Sequence, residues 1–103
     1  MQFFLDTGDI EEIRKGAEWG LIDGVTTNPS LIAKTGRAQA EVIKDICALI
    51  DGPISAEVIA TDKEGMLKEG AALAEIHPNV VIKLPLTEAG ISACKWFSEN
   101  DIQ

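Results

Sequence analysis

The stretch Asn79-Val80-Val81-Ile82-Lys83-Leu84-Pro85-Leu86 decides how this chain is read. It is a short apolar run, β-branched at Val80, Val81 and Ile82, closed by a proline and interrupted by one lysine. Such a run predicts a strand buried on both faces, the pattern of parallel sheets. A lysine inside it either snorkels to water or sits in a site that uses an amine. Burial disfavours the ammonium form, and a free amine attacks carbonyl carbon, the first requirement of Schiff-base chemistry. Taken alone, the stretch leaves both readings open.

Helical patterns flank it. Upstream, Met66, Leu67, Ala71, Leu73 and Ala74 make an apolar stripe, and Thr61-Asp62-Lys63-Glu64 predicts a capping box with Thr61 at the N-cap. Downstream, Thr87 caps a helix that turns Ile91, Cys94 and Phe97 inward. The same strand-then-helix unit occurs three times earlier. Met1 to Asp6 predicts a first strand. Thr7-Gly8-Asp9 then supplies turn and N-cap chemistry for a helix with Ile10, Ile13, Ala17 and Leu21 inside and Gly20 at its end. Gly24 to Asn28 predicts a second strand stopped by Pro29, with Ser30 capping the turn Leu31 to Lys34. A longer helix buries Val42, Ile43, Ile46, Cys47 and Ile50, and the turn Asp51-Gly52-Pro53 leads to a third strand, Ile54 to Ile59. Four βα units in succession require an α/β fold with a parallel sheet and right-handed crossovers, in one domain spanning residues 1–103. No glycine-rich phosphate fingerprint follows any strand. An open doubly wound sheet and half of a (βα)8 barrel both remain.

Composition narrows the function classes. Nine Lys and Arg against seventeen Asp and Glu give a net charge of −8, which argues against nucleic acid and anionic membrane surfaces as partners. No apolar run reaches the ~20 residues of a membrane helix, and Met1 to Asp6 lacks the features of a signal peptide, so a cytoplasmic protein is expected. Cys47 and Cys94 fall in separate helical patterns with no CxxC or Cys/His cluster. They read as reduced, half-buried thiols, with neither a disulfide nor a metal site. His77 reads as a loop histidine, and Trp19 and Trp96 as helix-packing residues.

Period-2 alternation places Phe4 with Asp6, Thr26 with Asn28, Ser55 with Glu57, and Val81 with Lys83 on common faces. Each strand thus ends in a polar group, Asp6, Asn28, Glu57 or Lys83, on the rim where barrel active sites are built. The groups compose a reaction. Lys83 attacks a ketose carbonyl, and the resulting iminium accepts the electrons of a breaking carbon–carbon bond. Asp6 takes or returns the proton of the β-hydroxyl, and Glu57 holds a water that relays protons. Asn28 and Thr26 orient substrate hydroxyls. The competing account is a structural ion-pair cluster of Lys83, Asp6 and Glu57 at the end of a sheet.

The segments Leu5-Asp6-Thr7, Gly24-Val25-Thr26-Thr27-Asn28-Pro29-Ser30-Leu31, Ser55-Ala56-Glu57-Val58 and Val81-Ile82-Lys83-Leu84-Pro85 closely resemble the small bacterial transaldolases, along essentially the whole chain. The resemblance implies a (βα)8 barrel and a class I aldolase, without a cofactor, that moves a dihydroxyacetone unit between sugar phosphates in the pentose phosphate pathway. It implies Lys83 as the Schiff-base lysine, Asp6 as acid/base, Glu57 as holder of the catalytic water, and Asn28 and Thr26 as substrate contacts. The related fructose-6-phosphate aldolases carry glutamine where Glu57 stands, which favours transaldolase over that activity. Members of the family are about twice as long. By the same resemblance, the serine and arginine that bind substrate phosphate belong to the half beyond this chain, which stops just before a fifth strand. A catalytically inactive half-barrel is therefore the alternative. Four strands leave two edges and one face to cover, so a homo-oligomer is expected.

Overall fold

In the computed structural model, which describes residues 1–103, four parallel strands lie in chain order. They are β1 (Phe4–Asp6), β2 (Gly24–Thr26), β3 (Ile54–Glu57) and β4 (Val80–Lys83). The helices are α1 (Ile10–Trp19), α2 (Pro29–Ala33), α3 (Gln39–Leu49), α4 (Lys63–Ala74) and α5 (Glu88–Glu99). Consecutive neighbours joined by crossovers of one hand put every helix on the same side of the sheet. The result is a two-layer (βα)4 half-barrel, one of the two arrangements that the order of elements left open and the one that the resemblance implied.

The register defines the two faces. Leu5 pairs with Val25, Val25 with Ile54, and Ile54 with Val80, so these side chains point together toward the helices. Val25, Ile54 and Ala56 are fully buried there against Ile13, Val42, Ile43, Ile46 and Met66. Alternate residues point the other way, where no element covers them. Phe4 is exposed on that side, Val81 is half-buried, and the Lys83 side chain is 43% exposed. The expectation that the strand of Lys83 is buried on both faces is therefore corrected: Val80 and Ile82 are buried, and Val81 and Lys83 are not. The cause is topological, since one-handed crossovers leave the second face to other elements.

Local signals fix most ends. The Asp9 carboxylate accepts from the Glu11 and Glu12 amides, and Gly20 closes α1 at φ 72°, a conformation that favours glycine. Thr87 caps α5 as expected, its hydroxyl accepting from the Gly90 amide. The cap of α4 lies one residue later than predicted: Asp62, rather than Thr61, accepts from Gly65 N at 3.2 Å. Asn28, not Ser30, caps α2, with Pro29 in the first helical turn. The inner face of α3 matches the prediction, with Val42, Ile43, Ile46, Cys47 and Ile50 all buried. That of α5 matches only at Phe97, which is buried with Gly90 and Ala93, while Ile91 and Cys94 are exposed. Phe97 lies against Gly70 of α4, where an added Cβ would meet its ring, so the close approach of two helices outweighs the size of Ile91. Leu21, Trp19 and Trp96 are likewise exposed, with Trp96 edge-on to its neighbour Phe97 at a ring-centroid distance of 5.5 Å.

After α5 the chain turns back along the sheet. The Gln103 carbonyl accepts from Ile82 N at 2.7 Å, and Ile102 packs against the core. No helix is long and apolar enough to cross a membrane.

Candidate active site

The polar rim forms where parallel strands end together. Asp6 and Thr26 are paired across β1 and β2, and the Thr26 hydroxyl donates to Asp6 Oδ1 at 2.9 Å. Glu57 and Lys83 are paired across β3 and β4, and Lys83 Nζ lies 3.0 Å from Glu57 Oε2. Lys83 Nζ also donates to the Thr27 carbonyl at 3.3 Å. One lysine amine therefore bridges the ends of three strands.

Register explains which groups meet. Thr26 stands level with Asp6 on β1, whereas Glu57 and Lys83 lie further toward the C-terminal rim. Strands lie about 4.8 Å apart, and three such spacings between Asp6 on β1 and Lys83 on β4 make two sub-clusters instead of one. The structural ion-pair account required Asp6, Glu57 and Lys83 to pair together. Only Lys83 and Glu57 do so, and Asp6 spends its carboxylate on a hydroxyl instead.

Asn28 departs from its predicted place. The second strand ends at Thr26, and the Asn28 side-chain oxygen accepts from Leu31 N at 2.9 Å. Its Oδ1 is thus committed to starting α2, which leaves the Nδ2 hydrogens available to another acceptor. The β3 strand also ends early, at Glu57. Beyond it, Ile59 N and Ala60 N donate to the Glu69 carboxylate, which anchors the loop.

Lys83 is also less buried than its sequence setting predicted. The amine lies on the open face, so the burial that the desolvation argument requires is absent in this chain. The Lys83–Glu57 pair is half-solvated, with side chains 43% and 24% exposed, and contributes only about 0–1 kcal/mol to stability. A cleft of about 490 Å³ opens beside Asp6, between the start of α1 and the end of α2, with Lys34 and Arg37 on its wall. Lys83 and Glu57 do not line it. Around the lysine the rim is open surface, because nothing stands opposite the sheet.

Three supporting residues were not singled out from sequence. Gln39, at the start of α3, donates from Nε2 to the Glu57 carbonyl at 2.9 Å and holds the end of β3. Thr27 and Ser55 tie β2 to β3: Thr27 N donates to Ser55 Oγ at 2.9 Å, and Thr27 Oγ1 to the Ser55 carbonyl at 2.6 Å. The paired threonines of Thr26-Thr27 were the available signal, since alternate residues face opposite sides. Thr26 meets Asp6, while Thr27 turns inward and is fully buried. The remaining titratable residues are peripheral. His77 accepts from Asn79 N in the loop before β4, and burial pushes the Cys47 thiol above its ordinary range. No group of three or more His, Cys, Asp or Glu side chains is placed to hold a metal ion.

Comparison with known proteins addresses the chain as a whole. The family model described as Transaldolase/Fructose-6-phosphate aldolase matches residues 3–103. A probable transaldolase of Geotalea uraniireducens (strain Rf4) is 61% identical over 103 residues, covering 100% of this chain and 48% of the relative. A probable transaldolase of Hyphomonas neptunium (strain ATCC 15444) is 60% identical over 102 residues, 99% of this chain and 47% of the relative. One from Heliobacterium modesticaldum (strain ATCC 51547 / Ice1) is 57% identical over 103 residues, with 100% and 48% covered. The chain spans about half the length of the curated relatives it matches. With (βα)4 architecture, a lysine at the rim and a family match along nearly its whole length, the chain belongs to the transaldolase/fructose-6-phosphate aldolase family.

Proposed function

We propose that this chain carries the imine-forming half of a transaldolase-type site, in which a dihydroxyacetone unit is transferred between sugar phosphates. The observation that carries the reading is the Lys83 amine at the rim, bonded to Glu57 Oε2 at 3.0 Å with Asp6 on the same face. Lys83 Nζ adds to the ketose carbonyl, and loss of water from the carbinolamine gives an iminium. Glu57 holds the water that carries protons in both steps. Asp6 then removes the β-hydroxyl proton. The bond between the α and β carbons breaks, and its electron pair moves into the iminium to give an enamine. Thr26 keeps the Asp6 carboxylate aimed by donating to Oδ1, and Asn28 Nδ2 binds a substrate hydroxyl. Glu57, in the place of the sister activity's glutamine, favours transfer over simple fructose-6-phosphate aldolase chemistry. A cytoplasmic location belongs to the same reading.

A second reading has its own observation. The sheet's second face is uncovered and Lys83 is 43% exposed, so the chain by itself lacks the enclosure that strengthens catalytic electrostatics. Self-association would supply it. The open face carries Phe4 and Val81, and β1 has no outer neighbour. Sedimentation of the purified chain should give a species larger than a monomer. A monodisperse monomer that binds no apolar dye contradicts self-association.

The test of function is incubation with fructose 6-phosphate or dihydroxyacetone followed by borohydride. A mass increase that disappears in Lys83→Met supports the Schiff-base reading. No increase, with parent and Lys83→Met indistinguishable, supports an inactive half-barrel.

A further inference from the structure

The Lys83 amine is held by two acceptors from different strands, Glu57 Oε2 at 3.0 Å and the Thr27 carbonyl oxygen at 3.3 Å. The second is unusual in how firmly it is fixed. Thr27 is 0% exposed, and β3 grips it on both sides of its peptide. Its amide donates to Ser55 Oγ at 2.9 Å, its hydroxyl to the Ser55 carbonyl at 2.6 Å, and Ser55 Oγ approaches the Thr27 carbonyl at 3.5 Å. These bonds supplement a thin ladder, since Val25–Ile54 is the sole register pair between β2 and β3.

A neutral lysine amine has a tetrahedral nitrogen bearing one carbon, two hydrogens and a lone pair. When both N–H bonds point to fixed acceptors, the lone pair has one direction left. We propose that Thr27, locked to Ser55, is a positioning residue that together with Glu57 aims the Lys83 lone pair at the open rim. The Thr27 carbonyl is the fixed member of the pair of acceptors, because the Glu57 carboxylate ends a flexible side chain. This proposal rests on the reading of Lys83 as the imine-forming amine. A purely structural role, tying β2 to β3, predicts that Thr27 variants lose stability but leave the reactivity of Lys83 untouched.

The experiment uses a carbonyl too small to need a substrate pocket. The full chain is treated with formaldehyde and cyanoborohydride. The aldehyde carbon bonds to the amine, water leaves, and hydride from the reagent reduces the C=N bond. Peptide mass spectrometry gives alkylation of Lys83 relative to the exposed Lys34. In Thr27→Val this ratio should fall about fivefold, the equivalent of one net hydrogen bond. Thr27→Ser keeps the hydroxyl and should restore the ratio. Should Thr27→Val not fold, Ser55→Ala, which removes the acceptor of the Thr27 amide, should lower the ratio in its place. A folded Thr27→Val or Ser55→Ala with an unchanged or raised ratio overturns the proposal, even if its melting temperature drops. Failure of the parent to form a dihydroxyacetone adduct counts against the functional reading alone, because the formaldehyde ratio is still measured.

Discussion

Val80 and Val81 are adjacent in β4 and point to opposite faces, so one substitution made at each compares the two sides of the sheet directly. Val80 is 3% exposed on the helix side, and Val81 is half-buried on the open side. Threonine is nearly isosteric with valine and equally at home in a strand, so the change adds a hydroxyl with little change of shape. In Val80→Thr that hydroxyl enters a packed apolar layer beside Ile54 without a partner, at a cost of about 1–3 kcal/mol. In Val81→Thr it faces water, and the change should stay within about 0.5 kcal/mol. For a domain of this size each kcal/mol shifts the melting temperature by about 4–8 °C. Urea and thermal unfolding followed by far-ultraviolet circular dichroism, in dilute protein, should therefore separate the two variants clearly. Equal losses at high dilution would refute the one-sided two-layer architecture. A Val81→Thr penalty that grows with protein concentration would instead locate the face that self-association covers.

Other consequences concern single residues. Asp62→Ala should cost about 1 kcal/mol through the lost cap on Gly65 N, whereas Thr61→Ala should be nearly silent; the reverse order in thermal melts would restore the capping box centred on Thr61. Cys94 is exposed, while Cys47 is buried with its thiol pushed up by burial, so iodoacetamide near pH 8 should modify Cys94 first. Faster loss of Cys47 on peptide mapping would mean that α3 leaves the sheet. In any assembly of the chain that cleaves fructose 6-phosphate, Asp6→Ala should slow carbon–carbon cleavage by about 10²–10⁴-fold and leave imine trapping at Lys83 in place. Loss of trapping would move Asp6 to the imine-forming steps.

The order of elements was legible because it is written in local periodicities. Alternation of two separated Asp6, Glu57 and Lys83 from the apolar layer, and all three lie on one face at the strand ends. What was not legible depends on distant partners. The run around Lys83 reads as doubly buried because its apolar residues suit both faces, yet which faces are covered is decided by elements elsewhere. The phase of α5 was misread because hydropathy favours Ile91 inward, while the contact of Phe97 with Gly70 selects a face of small residues, Gly90 and Ala93. Asn28 looked like a strand end because Pro29 follows it, and proline at the first turn of α2 serves that signal equally well. Thr27 and Ser55 escaped notice because a buried hydroxyl reveals its partner only when the strands are paired.

The central claim is that one amine among the seven lysines, Lys83, is placed to form an imine. Peptide-resolved borohydride trapping with dihydroxyacetone tests it most directly, because the other lysines serve as internal controls. The account predicts an adduct concentrated on the peptide carrying Lys83 and lost in Lys83→Met. An adduct spread evenly over all the lysines, with Lys83 no more reactive than Lys34, would contradict it.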